Sequence, residues 1–350
     1  MDRSERLAYL TPSSYERIRA CRLQQAFAQS STGSSGTPRS AAAALGIAVH
    51  AVLQRMIESE TLFSNGWRAE LDAAWVKDTV DLATNEYPAT PVERWPDFNL
   101  THARLAAAAE RLRAILDEGR LDTTLLCELL VTGREGRLRG RVDLVLRGER
   151  HEVVDFKAGR VLESHTDAVQ ARYVRQLMLY SAMEAETSGA WPNFSRVISL
   201  ADGDCAIPVS EDGCTAEADR AMDAIEAFNE AAPGQQPATT SVESCGSCPY
   251  AARCQPFWSA AATMPEVASA AGRVLVNNRS LLGGATLTIE PTDGSLGSVP
   301  IVVQHVDPIV YKQLADAPAG AAVWIVGLWR DPSRGTFRLG RAASLTVSAA

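Results

Sequence analysis

The stretch GRVDLVLRGERHEVVDFKAG, residues 140–159, sets Asp143, Asp155 and Lys157 among valines and leucines. Val, Leu and Phe favour strands, and Gly148 divides the run into a hairpin. Burying an ionised group without a partner costs several kcal/mol, so these charges either face solvent or meet a cation. Alternate residues of a strand share a face, so Asp155 and Lys157 point one way and Val154 and Phe156 the other. On the preceding strand Leu138, Val142, Leu144 and Leu146 make an apolar face with Asp143 opposite it. Hairpin pairing then brings Asp143 beside Asp155. Two close carboxylates repel unless a cation lies between them, and oxygen ligands suit Mg²⁺ or Mn²⁺. Lys157 would stand at the edge, placed to orient or deprotonate a water. The competing reading is a solvated strand face with a surface salt bridge, because short acidic–basic patterns are frequent.

The hairpin lies in a mixed α/β region. Upstream, residues 11–28 predict a helix, with Thr11 as cap, Pro12 in the first turn and Ser13 with Glu16 at capping-box spacing. Residues 29–40, QSSTGSSGTPRS, read as a loop, and 41–59 as a helix with Leu45, Val49, Val52 and Met56 on one side. Helical segments continue to about residue 119, and strands follow near 125–132, 137–147 and 151–157. A helix near 167–187, a strand at 194–201 and a helix near 215–231 complete the region, and 232–244 is a loop. After residue 268 the texture changes to about five short alternating strands, the pattern of a small β-barrel such as an OB-fold.

The 350 residues are 46% hydrophobic, enough for a packed core, and suggest two domains. A net charge of -8 argues against a protein that simply coats DNA, but leaves room for an enzyme with a local basic groove. No apolar run reaches membrane-span length and MDRSERLAYL lacks a signal-peptide core, so a cytoplasmic location is expected. Seven cysteines, three of them within ten residues, point in a reducing compartment to metal or cluster ligation rather than disulfides.

GRVD (140–143) followed by DFK (155–157) resembles the PD-(D/E)xK nuclease superfamily, whose RecB-type branch carries GxxD on one strand and (D/E)xK on the next. GIAVH supplies Gly46 and His50 for that branch's GxxxH helix, one turn apart, so that the glycine would admit a neighbouring backbone. QLMLY supplies Gln176 and Tyr180 for its QxxxY helix, an i,i+4 pair on one face. The resemblance implies a restriction-endonuclease-like mixed sheet flanked by helices and a metal-dependent nuclease. His50, Asp143, Asp155 and the Phe156 carbonyl would hold Mg²⁺ or Mn²⁺. Lys157 would help activate water, and Gln176 and Tyr180 would contact nucleic acid or brace Lys157. Glu128, in LLCELLV, is read as either a residue supporting the metal ligands or an ordinary strand-end carboxylate.

CGSCPYAARC spaces Cys245, Cys248 and Cys254 as C-x2-C-x5-C, one ligand short of a tetrahedral site, and Cys21 can supply the fourth. Four thiolates suit iron–sulfur or zinc alike. The separation of Cys21 from the others is similar to that in RecB-type nucleases with a [4Fe–4S] cluster, among them AddB-type helicase–nucleases and CRISPR-associated spacer-acquisition exonucleases. A cluster here would act as a staple between distant segments. Cys127, Cys205 and Cys214 read as packing or surface residues.

The resemblance spans about residues 10–258 and implies a nuclease domain over 1–258, with a barrel over 269–350. It implies an exonuclease of DNA repair, recombination or foreign-DNA processing, acting on single-stranded DNA or single-stranded ends, with a helicase or other DNA-processing protein as partner. The alternative is a non-catalytic DNA-binding subunit that keeps fold and cluster. A zinc scaffold would leave the ordered His, Asp and Lys without a purpose. In the barrel, Trp329, Arg330, Phe337 and Arg338 are candidate single-strand contacts, with Trp324 expected in the core.

Overall fold

Thr11 does cap a helix, though not through the expected partners. The Thr11 hydroxyl accepts from the Ser14 amide at 3.1 Å while the Ser14 hydroxyl accepts from the Thr11 amide at 2.7 Å, closing the reciprocal box three residues on. Glu16 instead takes the Arg175 guanidinium through two bonds of 2.6 Å. The computed structural model describes residues 6–30, 41–86, 92, 95, 97–117, 123–232, 234–280, 284–308 and 311–348. The loop expected at 29–40 lies almost wholly outside the described residues. The single helix expected over 11–28 is two, α1 (Pro12–Ala20) and α2 (Arg22–Gln29), because Cys21 is extended at φ −166° and caps the second.

The chain divides into two units, one of Leu7–Glu16 and Ala41–Glu230, the other of Met1–Arg6, Arg17–Ser40 and Ala231–Ala350. The division does not fall at residue 258: the cysteine segment and α2 group with the C-terminal strands. No helix among the described residues is long and apolar enough to cross a membrane.

The first unit is built on one sheet in the order β1 (Thr123–Gly133), β2 (Leu138–Gly148), β3 (Glu152–Lys157), β4 (Phe194–Ser199), β5 (Gly203–Ile207). All pairs are antiparallel except β3–β4, whose parallel pairing needs a crossover, supplied by α6 (Ala171–Ser188). The short β5 is absent from the sequence reading because its five residues, GDCAI, hold no alternation long enough to register. The other helices are α3 (Ala41–Glu58), α4 (Trp67–Glu86), α5 (Phe98–Asp117) and α7 (Glu211–Glu230). Leu45, Val49, Val52 and Met56 of α3 are buried as their spacing predicts. Gly46 has no close neighbour to accommodate, since an added Cβ would meet only Ala158 at an ordinary 3.8 Å.

Side-chain alternation on β2 switches part-way along. Near its start Gly140 faces α6, where an added Cβ would lie 2.6 Å from the Tyr180 ring. Further on, Arg147, of opposite parity, holds Glu184 of α6 through two bonds of 2.7 and 2.9 Å. On β3, Asp155 bonds Gln176 of α6, and its neighbour of the same parity, Val153, pairs with Val145. The β1–β2 ladder runs from Thr123–Gly148 to Gly133–Leu138 with one gap, at Glu128 and Asp143. Glu128 there adopts φ 48°, a left-handed conformation unusual for a residue with a side chain. The two carboxylates therefore stand where both strands leave the regular pleat.

In the second unit α8 (Val242–Cys245) and α9 (Gln255–Ala260) precede a closed barrel. Its strands are β6 (Ser269–Arg279), β7 (Ala285–Asp293), β8 (Ile301–Val306), β9 (Ala322–Asp331) and β10 (Thr336–Ser348), closed in the order β10-β8-β7-β6-β9. β10 meets β8 in parallel, and a short helix, α10 (Lys312–Ala315), lies between β8 and β9 in sequence. Val274, Leu287, Ile289, Val303, Val323 and Ile325 fill the interior. Phe337 joins them, so it has no free ring face and is withdrawn as a nucleic-acid contact. Trp324 is half-buried rather than in the barrel core and packs with the cysteine segment.

Gly140 is the one residue type that leaves room for Tyr180. Gly140→Ala should cost about 1–3 kcal/mol of stability by overpacking, read by urea denaturation, and adding Tyr180→Leu should recover much of it. A Gly140→Ala protein as stable as the parent would show that the ring moves aside freely.

Candidate active site

Asp143 is held from two directions. Its Oδ1 lies 3.2 Å from Nδ1 of His50 on α3, and its Oδ2 accepts the Phe156 amide of β3 at 2.6 Å. Phe156 donates in this way because the β2–β3 ladder stops at Leu144–Val154, two residues short of it. The Phe156 ring is buried edge-on to the His50 imidazole, with centroids 6.2 Å apart. Burial alone would discourage a proton on His50, but the hydrogen bond and charge of Asp143 outweigh it and raise the imidazole pKa.

Glu128 completes the group. One ligand atom each from His50, Glu128 and Asp143 can be chosen so that all lie within 4.8 Å of one another. Burial and the nearby charge of Asp143 raise the Glu128 pKa, and Arg141 stands 3.7 Å away. The repulsion between the two carboxylates is what a cation would remove. The sequence reading held Glu128 only as a supporting residue or a strand-end carboxylate. The signal that could have promoted it is a charged residue at the centre of the apolar run LLCELLV.

Asp155 is 2% exposed and turned toward α6. Its Oδ1 accepts from the Gln176 amide at 3.0 Å, and that amide also reaches the Tyr180 hydroxyl at 3.3 Å. Its Oδ2 lies 2.5 Å from Lys157 Nζ, yet receives no well-angled hydrogen bond and is otherwise an orphaned buried acceptor. Burial raises the Asp155 carboxyl to about 6 despite Lys157. Burial and the Asp155 charge likewise raise the Tyr180 phenol. Lys157 also lies 5.6 Å from the Tyr173 ring centroid, over which Arg172 stacks at 4.6 Å. The expected residues are thus gathered in one place, with Asp155 paired to Lys157 and Gln176 rather than in the tight group with His50 and Asp143.

In the second unit Cys21, Cys245, Cys248 and Cys254 line one pocket with Leu23, Phe27 and Phe257. The Thr239 amide points at the Cys21 sulfur at 3.4 Å. Burial raises all three C-terminal thiols, Cys248 to about 11, and the other sulfurs add to the shift. Trp329 is 54% exposed, Arg330 is exposed and Arg338, opposite Trp329 on β10, is half-exposed.

Residues 9–255 match the PD-(D/E)XK nuclease superfamily. The chain belongs to that superfamily. Among curated proteins none matches significantly. Solved structures do, among them a protein designated SSO0001, at 12% identity and TM-score 0.29 over 60% of this chain and 95% of the other, and a candidate exonuclease from Eubacterium rectale, at 11% identity and TM-score 0.38 over 67% and 85%. The nuclease is of a metal-dependent, hydrolytic family, and the His50–Glu128–Asp143 group is a donor set of the required kind.

Asp155 makes the nuclease's stability depend on pH in a definite direction. A carboxyl raised from about 3.9 unfolded to about 6 folded stabilises the fold below the lower value and loses that contribution as pH rises through the upper one. Asp155→Asn keeps the Gln176 contact and removes the titration. In EDTA its stability relative to the parent should grow between about pH 4 and 6 and level off above, by a few degrees of melting temperature. A stability difference that is flat with pH would show that Asp155 titrates normally.

Proposed function

We propose that the chain is a Mg²⁺- or Mn²⁺-dependent deoxyribonuclease, acting as an exonuclease of the RecB-type branch, with an iron–sulfur cluster in its second unit. The observation that carries the catalytic part is the convergence of His50, Glu128 and Asp143 beside the Asp155–Lys157 pair. Two carboxylates and one imidazole suit such a cation, and Asp155, whose Oδ2 faces Lys157, supplies a further acceptor. An extended residue projects its amide and carbonyl toward the same neighbouring strand, so the Phe156 carbonyl shares the edge on which its amide meets Asp143. His50, Glu128, Asp143, Asp155 and the Phe156 carbonyl would hold the cation, which would add positive charge at the scissile phosphate and acidify a water.

The chain's own groups do the rest. Lys157, fixed against Asp155, presents an ammonium that orients the attacking water and offsets negative charge on the phosphate. Gln176, braced by Tyr180, keeps Asp155 in a single rotamer. An abandoned site would have no need of all these groups, which speaks against a purely DNA-binding subunit. The choice of DNA, end-directed cleavage, a role in repair or foreign-DNA processing and a helicase partner rest on the RecB-type resemblance.

For the cluster, four thiols in an apolar pocket fit a soft metal centre, and the amide aimed at Cys21 is the sort of bond that cluster sulfurs accept. Zinc would suit the same four thiols, and the long separation of Cys21 from the other three, as in the cluster-bearing RecB-type nucleases it resembles, favours the cluster.

The barrel has the strand order, parallel closing pair and intervening helix of an OB-fold, a fold that binds single strands. Residues 269–350 carry seven Lys and Arg against five Asp and Glu, in a chain with 34 against 42. Trp329, with Arg330 and Arg338 beside the β9–β10 turn, would stack one base and meet the adjoining phosphates.

Digestion and binding of end-labelled oligonucleotides test the catalytic and barrel readings together. Lys157→Ala should lower cleavage with Mg²⁺ or Mn²⁺ roughly 10²–10⁴-fold while leaving affinity intact, and Trp329→Ala should weaken single-strand binding alone. Near-normal cleavage by Lys157→Ala would end the assignment of the site.

Anaerobically purified protein should be brown, with iron and acid-labile sulfide, and Cys21→Ser should lose colour and thermal stability together. Colourless protein holding stoichiometric zinc would rule the cluster out.

A further inference from the structure

The alternation switch on β2 leaves one surface unaccounted for. Because Gly140 faces α6, its neighbours Arg139 and Arg141 face the opposite side of the sheet, the side from which His50 approaches Asp143. Their β1 partners are Thr132 and Leu130. Nothing covers this face among the described residues: the Arg141 side chain is 63% exposed, Leu130 59% and Tyr9 43%. Tyr9 is held there because Leu10 is bridged to β2, accepting the Arg139 amide at 3.0 Å and donating to the Arg137 carbonyl at 2.8 Å. The Arg139 guanidinium lies over the Tyr9 ring at 4.7 Å. Among the described residues no carboxylate comes within ion-pair distance of Arg139, and the nearest to Arg141 is Glu128, at 3.7 Å.

We propose that this face is the track along which the nucleic-acid strand runs away from the cleaved bond, with Arg141 and Arg139 meeting successive phosphates and Tyr9 stacking an unpaired base. The inference rests on the nuclease reading and extends it to residues outside the metal site. Two features select the occupant. The face begins at the metal group itself, since Arg141 adjoins Glu128, and four residues of strand carry it about 13 Å from Asp143 to Arg139. It also joins Arg139, which has no carboxylate within ion-pair distance among the described residues, and Arg141, which shares Glu128 at 3.7 Å, to a half-exposed aromatic ring, the pairing that binds single strands irrespective of sequence. A duplex would meet the arginines but has no free base for Tyr9.

The test uses the full chain and two probes. The first is a fluorescent oligo-dT of about 20 nucleotides, its affinity measured by anisotropy in EDTA across a salt series. The second is bis(p-nitrophenyl) phosphate with Mn²⁺, too small to reach Tyr9 from the metal group. Tyr9→Ser should bind the oligonucleotide about tenfold more weakly with an unchanged salt slope, and Tyr9→Trp should bind normally. Arg139→Ala should flatten the slope of log affinity against log salt by about 0.7, which Arg139→Lys should restore. Hydrolysis of the small diester should be the same in all four. Parental affinity and slope in both Tyr9→Ser and Arg139→Ala would overturn the track while leaving the nuclease reading standing. So would a loss of oligonucleotide affinity in Arg139→Ala with none in Tyr9→Ser. If the parent hydrolyses neither the small diester nor the end-labelled oligonucleotides the nuclease reading fails, and the binding series still decides the track, which is lost if the parent does not hold oligo-dT.

Discussion

The single gap in the β1–β2 ladder, opposite Glu128 and Asp143, is the constraint on which the site depends. A carboxylate at a regular position in a covered sheet must be fully paired if it is buried, as Glu152 is, or else face solvent. At a gap it can do neither fully: Asp143 is partly buried and takes one amide from the neighbouring strand and one imidazole from α3. The left-handed backbone at Glu128 is the strain that keeps the second carboxylate at the same level. With both strands displaced together, pairing resumes on either side without a change of register, so the rest of the sheet loses little.

Buried charge elsewhere in this unit is tolerated for a different reason. Glu184 and Glu152 are fully buried, and each has two cationic or imidazole partners: Arg147 and His151 for the first, Arg150 and Arg196 for the second. Those pairs are complete and belong to the scaffold. Asp155 differs, being as buried as they are but with a single cation and an oxygen without a well-angled donor. Incomplete satisfaction separates the candidate metal-binding carboxylate from the structural ones.

Much of this was legible in the sequence where local pattern and chemistry coincide. Asp143, Asp155 and Lys157 interrupt apolar strands, His50 follows the apolar stripe of α3, and Gln176 and Tyr180 share a helix face; all six meet. Uniform alternation, however, cannot foresee a switch of parity, so Glu128 was undervalued and the exposed face of Arg139 and Arg141 went unseen. Phe337 failed for a related reason: a barrel decides inside from outside by closure, and a strand that begins Thr-Phe-Arg reads equally well either way. The helix break at Cys21 has no proline or glycine to announce it, since the residues around it, IRACRLQQ, are ordinary helix formers.

The second unit draws on chain from both sides of the first, residues 17–40 and then 231 onward. During synthesis its opening segment therefore emerges long before the strands and cysteines it joins. At roughly 5–20 residues per second, the intervening 41–230 segment takes about 10–40 s to appear. The sheet unit can fold in that interval, while α2 and Cys21 wait with their apolar side chains uncovered. Order of emergence thus makes the N-terminal segment the last to be buried, and the stretch on which a holding chaperone or an early protease would act.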